Sequence, residues 1–163
     1  MRGRARKSCE GTRLARHQVM NAIELLKRDH DRMKVLLTRA VTAGAEERRE
    51  QLLADLHRDL VTHERLEEEL LYPRLQENPR TREIVLEGYE EHHVADQILD
   101  ELLETPPDTE VWKAKMKVLK ESIEHHIEEE EGDMFKKARK VLSDAELEQI
   151  GEQMETMRRA AAA

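Results

Sequence analysis

Histidine and glutamate recur at helical spacing on stretches that are otherwise apolar. In the segment HERLEEELLYP, His63 precedes Glu67 by four residues, and Leu60 and Leu66 lie on the same side of a helix. Such a stripe is the inward face of an amphipathic helix. Burying two polar groups there without partners would cost several kcal/mol, about the price of a lost hydrogen bond or more. The pattern therefore predicts that a partner is supplied inside the protein.

The same feature occurs in each of four long predicted helices, which place His30, His63, His92 and His126 on their inward stripes. His30 lies 14 residues before Gly44, and His63 lies 19 residues after it. At about 1.5 Å per residue, and with similar counts at the other turns, the four histidines reach a common level. Singly, each is explained as well by a hydrogen bond to a carboxylate, but a shared layer favours a joint site.

Turn and capping residues separate the helices. Gly44, Pro73, Asn78-Pro79 and Thr105-Pro-Pro mark helix ends, and Ser143 with Glu146 forms a capping box. The predicted spans are 20–43, 46–77, 80–104, 109–141 and a shorter helix after 143. Short connections make neighbours antiparallel, so we predict an all-α, up-down-up-down four-helix bundle with a short C-terminal fifth helix.

Composition limits the domain organisation and the function. We expect a disordered basic arm at 1–19, a bundle at 20–141, and a C-terminal helix with a frayed tail at 142–163. The net charge of −8 argues against nucleic acid as a partner. The chain has no apolar run near the ~20 residues that cross a bilayer and no signal segment, so a cytoplasmic location is the expectation.

The donor atoms indicate the chemistry. Glu67 follows His63 by four residues, and Glu130 follows His126 by four, so each pair offers an imidazole and a carboxylate to one point. Four imidazoles with two carboxylates suit first-row transition metals, and carboxylates bridge two irons in some bundle cores. Cys9 is the single cysteine, which argues against a zinc–thiolate or iron–sulfur site.

These motifs together resemble the hemerythrin-like, or HHE cation-binding, family. The resemblance covers about residues 20–140 and rests on four segments: LLKRDH (25–30), HERLEEELLYP (63–73), EEHHVADQIL (90–99) and HHIEEEEGDMF (125–135). It implies a cofactor of two non-haem iron ions, bridged by carboxylates and by an oxo or hydroxo group. The implied metal ligands are His30, His63, Glu67, His92, His126 and Glu130.

The chain departs from the family pattern at one position, and several neighbours compete for ligand roles. Hemerythrins proper have a second histidine four residues along the third helix, where this chain has Asp96. Asp96, Glu64 and Glu131 are therefore additional ligand candidates, since members of the family place a carboxylate at either Glu130 or Glu131. Tyr89, one turn before His92, is a candidate to hydrogen-bond a bound ligand. Three further histidines are expected on the surface, namely His57, His93 and His125.

The resemblance leads to one main functional expectation and one alternative. We expect a di-iron protein that interacts with O2, NO or peroxide in sensing, storage or detoxification, with catalase-like turnover and simple binding both open. The alternative is an iron- or oxygen-responsive regulatory module without turnover. Asp96 in place of the histidine shifts the expectation away from reversible oxygen carriage. The physiological ligand, the oligomeric state and the choice of iron over manganese stay open.

Overall fold

The computed structural model describes residues 20–161, and the predicted basic arm with Cys9 and His17 lies outside the described residues. All regular structure in this described part is helical, which confirms the predicted fold class. The helices are α1 (Ala22–Thr42), α2 (Glu46–Leu66), α3 (Tyr72–Gln76), α4 (Arg82–Glu104), α5 (Glu110–Glu129), α6 (Phe135–Val141) and α7 (Asp144–Ala161).

Two single-turn π-helices join pairs of these elements into long rods. The first π-turn, Glu67–Leu71, links α2 to α3, and the second π-turn, Glu130–Met134, links α5 to α6. Four rods result: α1, α2–α3, α4 and α5–α6. Contacts of α1 with α2 and α5, and of α4 with α5, α2 and α3, close the antiparallel bundle, and α7 packs on α1, α2 and the first π-turn.

Local sequence explains where the helices begin. The side chain of Asn21 accepts a hydrogen bond from the Glu24 amide (3.1 Å) at the start of α1, and Thr109 does the same for the Trp112 amide before α5. Ser143 and Glu146 form the predicted capping box, with the Ser143 amide donating to Glu146 Oε2 (2.9 Å).

The third long helix begins later than predicted. Asn78 Oδ1 accepts from the Arg80 amide, and the Thr81 hydroxyl donates to the carbonyl of Leu75, so this segment is a turn. Regular α4 begins only at Arg82. The predicted start at residue 80 was two residues too early, because the asparagine side chain stabilises a turn as readily as a helix start.

The apolar core is divided in two by a layer of polar side chains. One cluster surrounds Leu26, Tyr72 and Phe135 and includes the inner face of α7. The other surrounds Leu56, Leu99 and Trp112 near the loops that follow α1 and α4. Between them lie buried histidines and glutamates. The bundle therefore encloses its polar groups at mid-height, with hydrocarbon on both sides.

The docking of α7 gives a test of the fold. A Cβ on Gly151 would collide with the backbone carbonyl of Met20 and lie 3.0 Å from the Ala22 amide nitrogen. We expect Gly151→Ala to lower the free energy of unfolding by about 1–3 kcal/mol, because backbone at the start of α1 has to move. Gly132→Ala is the matched control, since no heavy atom lies within 4 Å of its Cβ. Equal urea midpoints for the two variants would contradict the close approach.

Candidate metal centre

Four imidazoles from four rods meet in the polar layer. His30 Nε2 lies 3.2 Å from His63 Nε2, and His92 Nε2 lies 3.1 Å from His126 Nε2. All four side chains are buried. Within each pair the rings meet edge to face, with centroids 4.8 and 4.7 Å apart. The Nε2 atoms therefore face the middle of the bundle as two pairs of donors.

Two carboxylates lie between these pairs. Glu67 Oε2 is 3.3 Å from His63 Nε2 and 3.4 Å from His92 Nε2. Glu130 Oε2 is 3.2 Å from His30 Nε2 and 3.6 Å from His126 Nε2. Each carboxylate thus reaches one histidine of each pair, which is the arrangement of a bridging ligand.

These inward atoms lack hydrogen-bond partners of their own. Both carboxylate oxygens of Glu67 and Oε2 of Glu130 are buried without a partner among the described residues. Their donors fall into two overlapping groups that could each hold a cation, one of His30, His63, Glu67 and Glu130, the other of Glu67, His92 and His126. Buried carboxylates without partners cost free energy that a cation would recover. The residues present therefore fit a metal centre.

A second set of carboxylates stands behind the imidazoles. Nδ1 of His30 is 2.9 Å from Glu131, Nδ1 of His92 is 2.9 Å from Glu68, and Nδ1 of His126 is 2.7 Å from Glu91. A carboxylate that accepts a hydrogen bond from Nδ1–H keeps the proton on Nδ1. It thereby leaves the Nε2 lone pair free on the inner side and fixes the ring orientation.

The fourth imidazole differs. Nδ1 of His63 lies 3.7 Å from Asp29 Oδ2 and has no hydrogen-bond partner among the described residues. Three of the four rings are therefore held by short contacts, and His63 is held by a longer one.

A repeat longer than the histidine pattern emerges from these contacts. An acidic residue directly precedes the histidine on α1 and on α4, and another directly follows the glutamate at each π-turn. The corresponding pairs are Asp29-His30 with Glu91-His92, and Glu67-Glu68 with Glu130-Glu131. The structure uses both copies alike, since each outer carboxylate faces a histidine of another rod. The sequence interpretation identified the histidines, Glu67 and Glu130 as ligands, but it did not identify the outer roles of Asp29, Glu68 and Glu91.

Comparison with known proteins agrees with this geometry. The family model of the hemerythrin HHE cation-binding domain matches residues 21–138. The chain belongs to the hemerythrin HHE cation-binding family. The resemblance inferred from the sequence motifs is thereby confirmed.

Relatives of this hemerythrin-like chain come from several bacteria. Rv2633c, an uncharacterized protein of Mycobacterium tuberculosis, is 34% identical over 137 residues, or 83% of each chain. The crystal structure of a hemerythrin HHE cation-binding domain-containing protein from Mycobacterium kansasii, an Rv2633c homolog, has a TM-score of 0.75 and 33% identity over 86% of each chain. A DNA nickase of Nostoc sp. is 25% identical over 135 residues, which are 81% of this chain but 37% of that protein.

The pKa values of the two glutamates of the hemerythrin-like centre are shifted in opposite directions. Burial and the neighbouring Glu130 raise the pKa of Glu67 well above its usual range. Burial also opposes the charge on Glu130, but His126 and His30 hold the pKa of Glu130 well below its usual range. Burial lowers the pKa of His63 to about 4, which keeps this imidazole in the neutral form that binds metals. A cation held by these donors would favour the charged carboxylate form of both glutamates.

The structure also places the competing candidates. Glu130, not Glu131, lies in the inner layer, while Glu131 stands behind His30 and pairs with Lys27. Asp96 is exposed and interacts with Glu64, and it belongs to neither of the two inner donor groups. Three other histidines lie away from the layer, with His57 partly exposed and His93 and His125 exposed.

A tyrosine at the centre was missed by the sequence interpretation. Tyr72 is fully buried, donates a hydrogen bond to Glu130 Oε1 (2.9 Å), stacks on the His92 ring and lies 3.4 Å from its Nε2. Tyr89, the predicted neighbour, is half-buried and meets only the edge of the Tyr72 ring within this group.

The π-turns explain this error. The Tyr72 amide donates to the carbonyl of Glu67, five residues earlier, and the Phe135 amide does the same to Glu130. The extra residue of a π-turn shifts the phase of the following helix, so both rings turn toward the layer. Phe135 stacks on His30 as Tyr72 stacks on His92. Tyr72 follows His63 by nine residues and Phe135 follows His126 by nine, and this equal spacing was the signal that could have identified both rings.

A small cavity adjoins the histidines on the side away from Tyr72. Its volume of about 10 Å³ is room for about one water-sized molecule. Imidazoles form one wall and apolar side chains such as Met33 and Ile123 form the other. Glu64 also lines this cavity, and burial together with Asp96 raises its pKa to about 9.

The contact between Gly88 and Tyr72 can be tested. A Cβ at Gly88 would lie 2.7 Å from the Tyr72 hydroxyl oxygen and 3.2 Å from Cζ. We expect Gly88→Ala to displace the hydroxyl from Glu130 and to lower the free energy of unfolding by about 1–3 kcal/mol. Tyr72→Phe removes the closest atom, so the double variant should lose less than the sum of the two single changes. Additive losses in urea unfolding would show that the two residues do not meet.

Glu64 gives a pH-dependent prediction for the metal-free chain. Its folded pKa is about 9, above that of an unfolded glutamate, so folding takes up a proton between these values and stability falls as pH rises through this window. We expect Glu64→Gln to raise the free energy of unfolding by about 1–3 kcal/mol at pH 7 and to have little effect near pH 4, where both states are protonated. A variant–wild-type difference that is flat from pH 4 to pH 9 would contradict this.

Proposed function

We propose that this protein binds two non-haem iron ions and brings them into contact with O2, NO or peroxide. The observation that carries the proposal is the pair of overlapping donor groups, which share Glu67 and present four Nε2 atoms to one buried space. Its membership of a cation-binding family supports the same conclusion.

The donor set favours iron among the common metals. Imidazole suits zinc, copper, iron and nickel, whereas magnesium and calcium prefer sites made only of oxygen. Glutamates and histidines that project inward from facing helices are the ligands of di-iron centres in bundles. Glu67 and Glu130 occupy such positions, since each follows a histidine by four residues and lies within 3.6 Å of two imidazoles.

The chain's own residues would set the properties of the centre. When bound, the iron ions supply one-electron redox change and an open coordination position. The carboxylates behind His30, His92 and His126 make these imidazoles stronger donors. Tyr72 holds Glu130 by a hydrogen bond, and the two apolar clusters keep bulk water away.

The cavity sets the size of the ligand. A space of about 10 Å³ beside His63, His92 and His126 admits a molecule near the size of water and excludes an organic substrate. Glu64 lines this space, and burial together with Asp96 raises its pKa to about 9, so its carboxyl group keeps its proton at neutral pH. These features support a small diatomic or peroxide ligand.

Across residues 20–161, no helix combines the length and the hydropathy needed to cross a bilayer.

Metal titration tests the proposal. We expect the metal-free protein to bind about two Fe²⁺ per chain under anaerobic conditions and to gain about 3 kcal/mol of stability from each site at 100 times its Kd. Glu67→Gln should lower the affinity for both ions, because Glu67 belongs to both inner donor groups. His93→Ala is the matched control, since His93 follows His92 but is exposed.

The outcomes separate the parts of the proposal. Failure to bind iron, or equal binding by the Glu67→Gln variant, would contradict the proposed metal centre. Exposure of the loaded protein to O2, NO and hydrogen peroxide, followed by optical spectroscopy, then identifies the ligand. Iron-loaded protein that leaves peroxide unconsumed would exclude catalase-like turnover and leave binding as the function.

A further inference from the structure

The C-terminal helix reaches the candidate metal centre through an arginine. Arg158 of α7 donates from Nη1 to Asp29 Oδ1 (2.9 Å), and its Nη2 contacts the other carboxylate oxygen. Both side chains are largely buried, with 28% and 16% exposed. A two-point contact between the planar guanidinium and a carboxylate fixes the carboxylate in position and in orientation.

Asp29 is one of the four outer carboxylates. It directly precedes His30 on α1, and its Oδ2 faces Nδ1 of His63 at 3.7 Å. The other three outer carboxylates contact their histidines at 2.7–2.9 Å. Asp29 is thus shared between a histidine and an arginine, and the arginine makes the shorter contacts.

The surroundings explain why Asp29 needs this support. It lies in an open cleft of about 350 Å³, whose other lining residues include Arg32, Arg58 and Asp59. Arg32 and Arg58 both pair with Asp59. Without Arg158, the carboxylate would be free to turn away from His63 toward this cleft and its water.

We propose that Arg158 is a positioning residue of the metal centre, which acts through Asp29 on His63. The inference rests on the proposed function, because it assigns α7 to the support of the donor group that contains His30 and His63. Through this contact the fifth helix sets the orientation of one of the imidazoles. The other donor group, with His92 and His126, has its own outer carboxylates, Glu68 and Glu91.

Docking of α7 has separate supports, so loss of Arg158 need not detach the helix. Leu147, Ile150 and Met154 are buried in the apolar cluster. Glu155 of α7 also pairs with Arg28 of α1 at 3.6 Å, and neither contacts a histidine of the centre in the described part of the chain. Glu155→Gln is therefore a matched control that weakens the same helix pair without touching Asp29.

The first experiment compares Fe²⁺ titrations of four full-length proteins: wild type, Arg158→Gln, Arg158→Lys and Glu155→Gln. We expect Arg158→Gln to lower the affinity for one of the two iron ions by about 10–100-fold. This is the usual effect of losing a group that hydrogen-bonds to a metal ligand. Arg158→Lys should recover part of this loss, and Glu155→Gln should match the wild type. In Asp29→Asn protein, adding Arg158→Gln should change the affinity no further, because the residue through which it acts is already altered.

The second experiment uses the metal-free protein. We expect Arg158→Gln to move the imidazole ¹⁵N signals of His63 and to leave those of His92 and His126 in place. Unchanged iron binding with unmoved His63 signals, or equal losses in Arg158→Gln and Glu155→Gln, would overturn the inference. If the wild type binds no Fe²⁺, the proposed function fails, and the His63 signals alone decide whether Arg158 positions this ring.

Discussion

The structure depends on the burial of four imidazoles and two carboxylates at the middle of an apolar bundle. Burying each of these groups in hydrocarbon costs free energy unless another group or a cation compensates for it. The arrangement meets this constraint from the outside with carboxylates behind the rings, and on the inside it leaves carboxylate oxygens without partners. Except at Nδ1 of His63, the imidazoles therefore have partners on their outer side, and the carboxylate oxygens without partners on the inner side suit a metal centre.

The two halves of the bundle solve this problem in the same way but are not equivalent. Both π-turns begin at an inner glutamate and bring an aromatic ring onto a histidine. Tyr72 carries a hydroxyl that holds Glu130, whereas Phe135 at the equivalent position offers none to Glu67. Glu64 follows His63 and lines the cavity, whereas Ile127 follows His126. The scaffold is therefore a repeat, and the chemistry differs at the positions where the repeat is broken.

Much of the fold could be predicted because 3.6-residue periodicity reports which face of a helix is buried. The stripe from Trp112 to Met134 is buried as expected. Prediction failed where the backbone departs from regular α-helix. The π-turn after Glu67 changes the phase, so Leu71 and Tyr72 are fully buried while Leu70 is only partly buried. A period fitted to the preceding turns carries no information about such an insertion.

The site shows the same division between predictable and unpredictable features. The six residues predicted as ligands meet in one layer, because their positions depend on helical geometry alone, and their binding of metal stays a prediction. The outer carboxylates depend on which rods are neighbours, which a single sequence does not state. A helical phase continued from His92 through Leu99 predicts that Leu103 faces inward, yet Leu103 is 50% exposed and Leu102 beside it is buried.

The fifth helix illustrates how a site acquires parts from outside its own repeat. Residues of α1, α2–α3, α4 and α5–α6 are related in pairs, so a symmetric assembly would give His63 the same short carboxylate contact as the other three histidines. The helix that has no counterpart in the repeat, α7, supplies Arg158 to the one outer carboxylate whose histidine contact is long. Because Arg158 contacts both oxygens of Asp29, the carboxylate is held facing His63 at a distance longer than a hydrogen bond. The departure from symmetry at His63 thus has a physical cause, and it lies in the only helix of the described chain that stands outside the repeat.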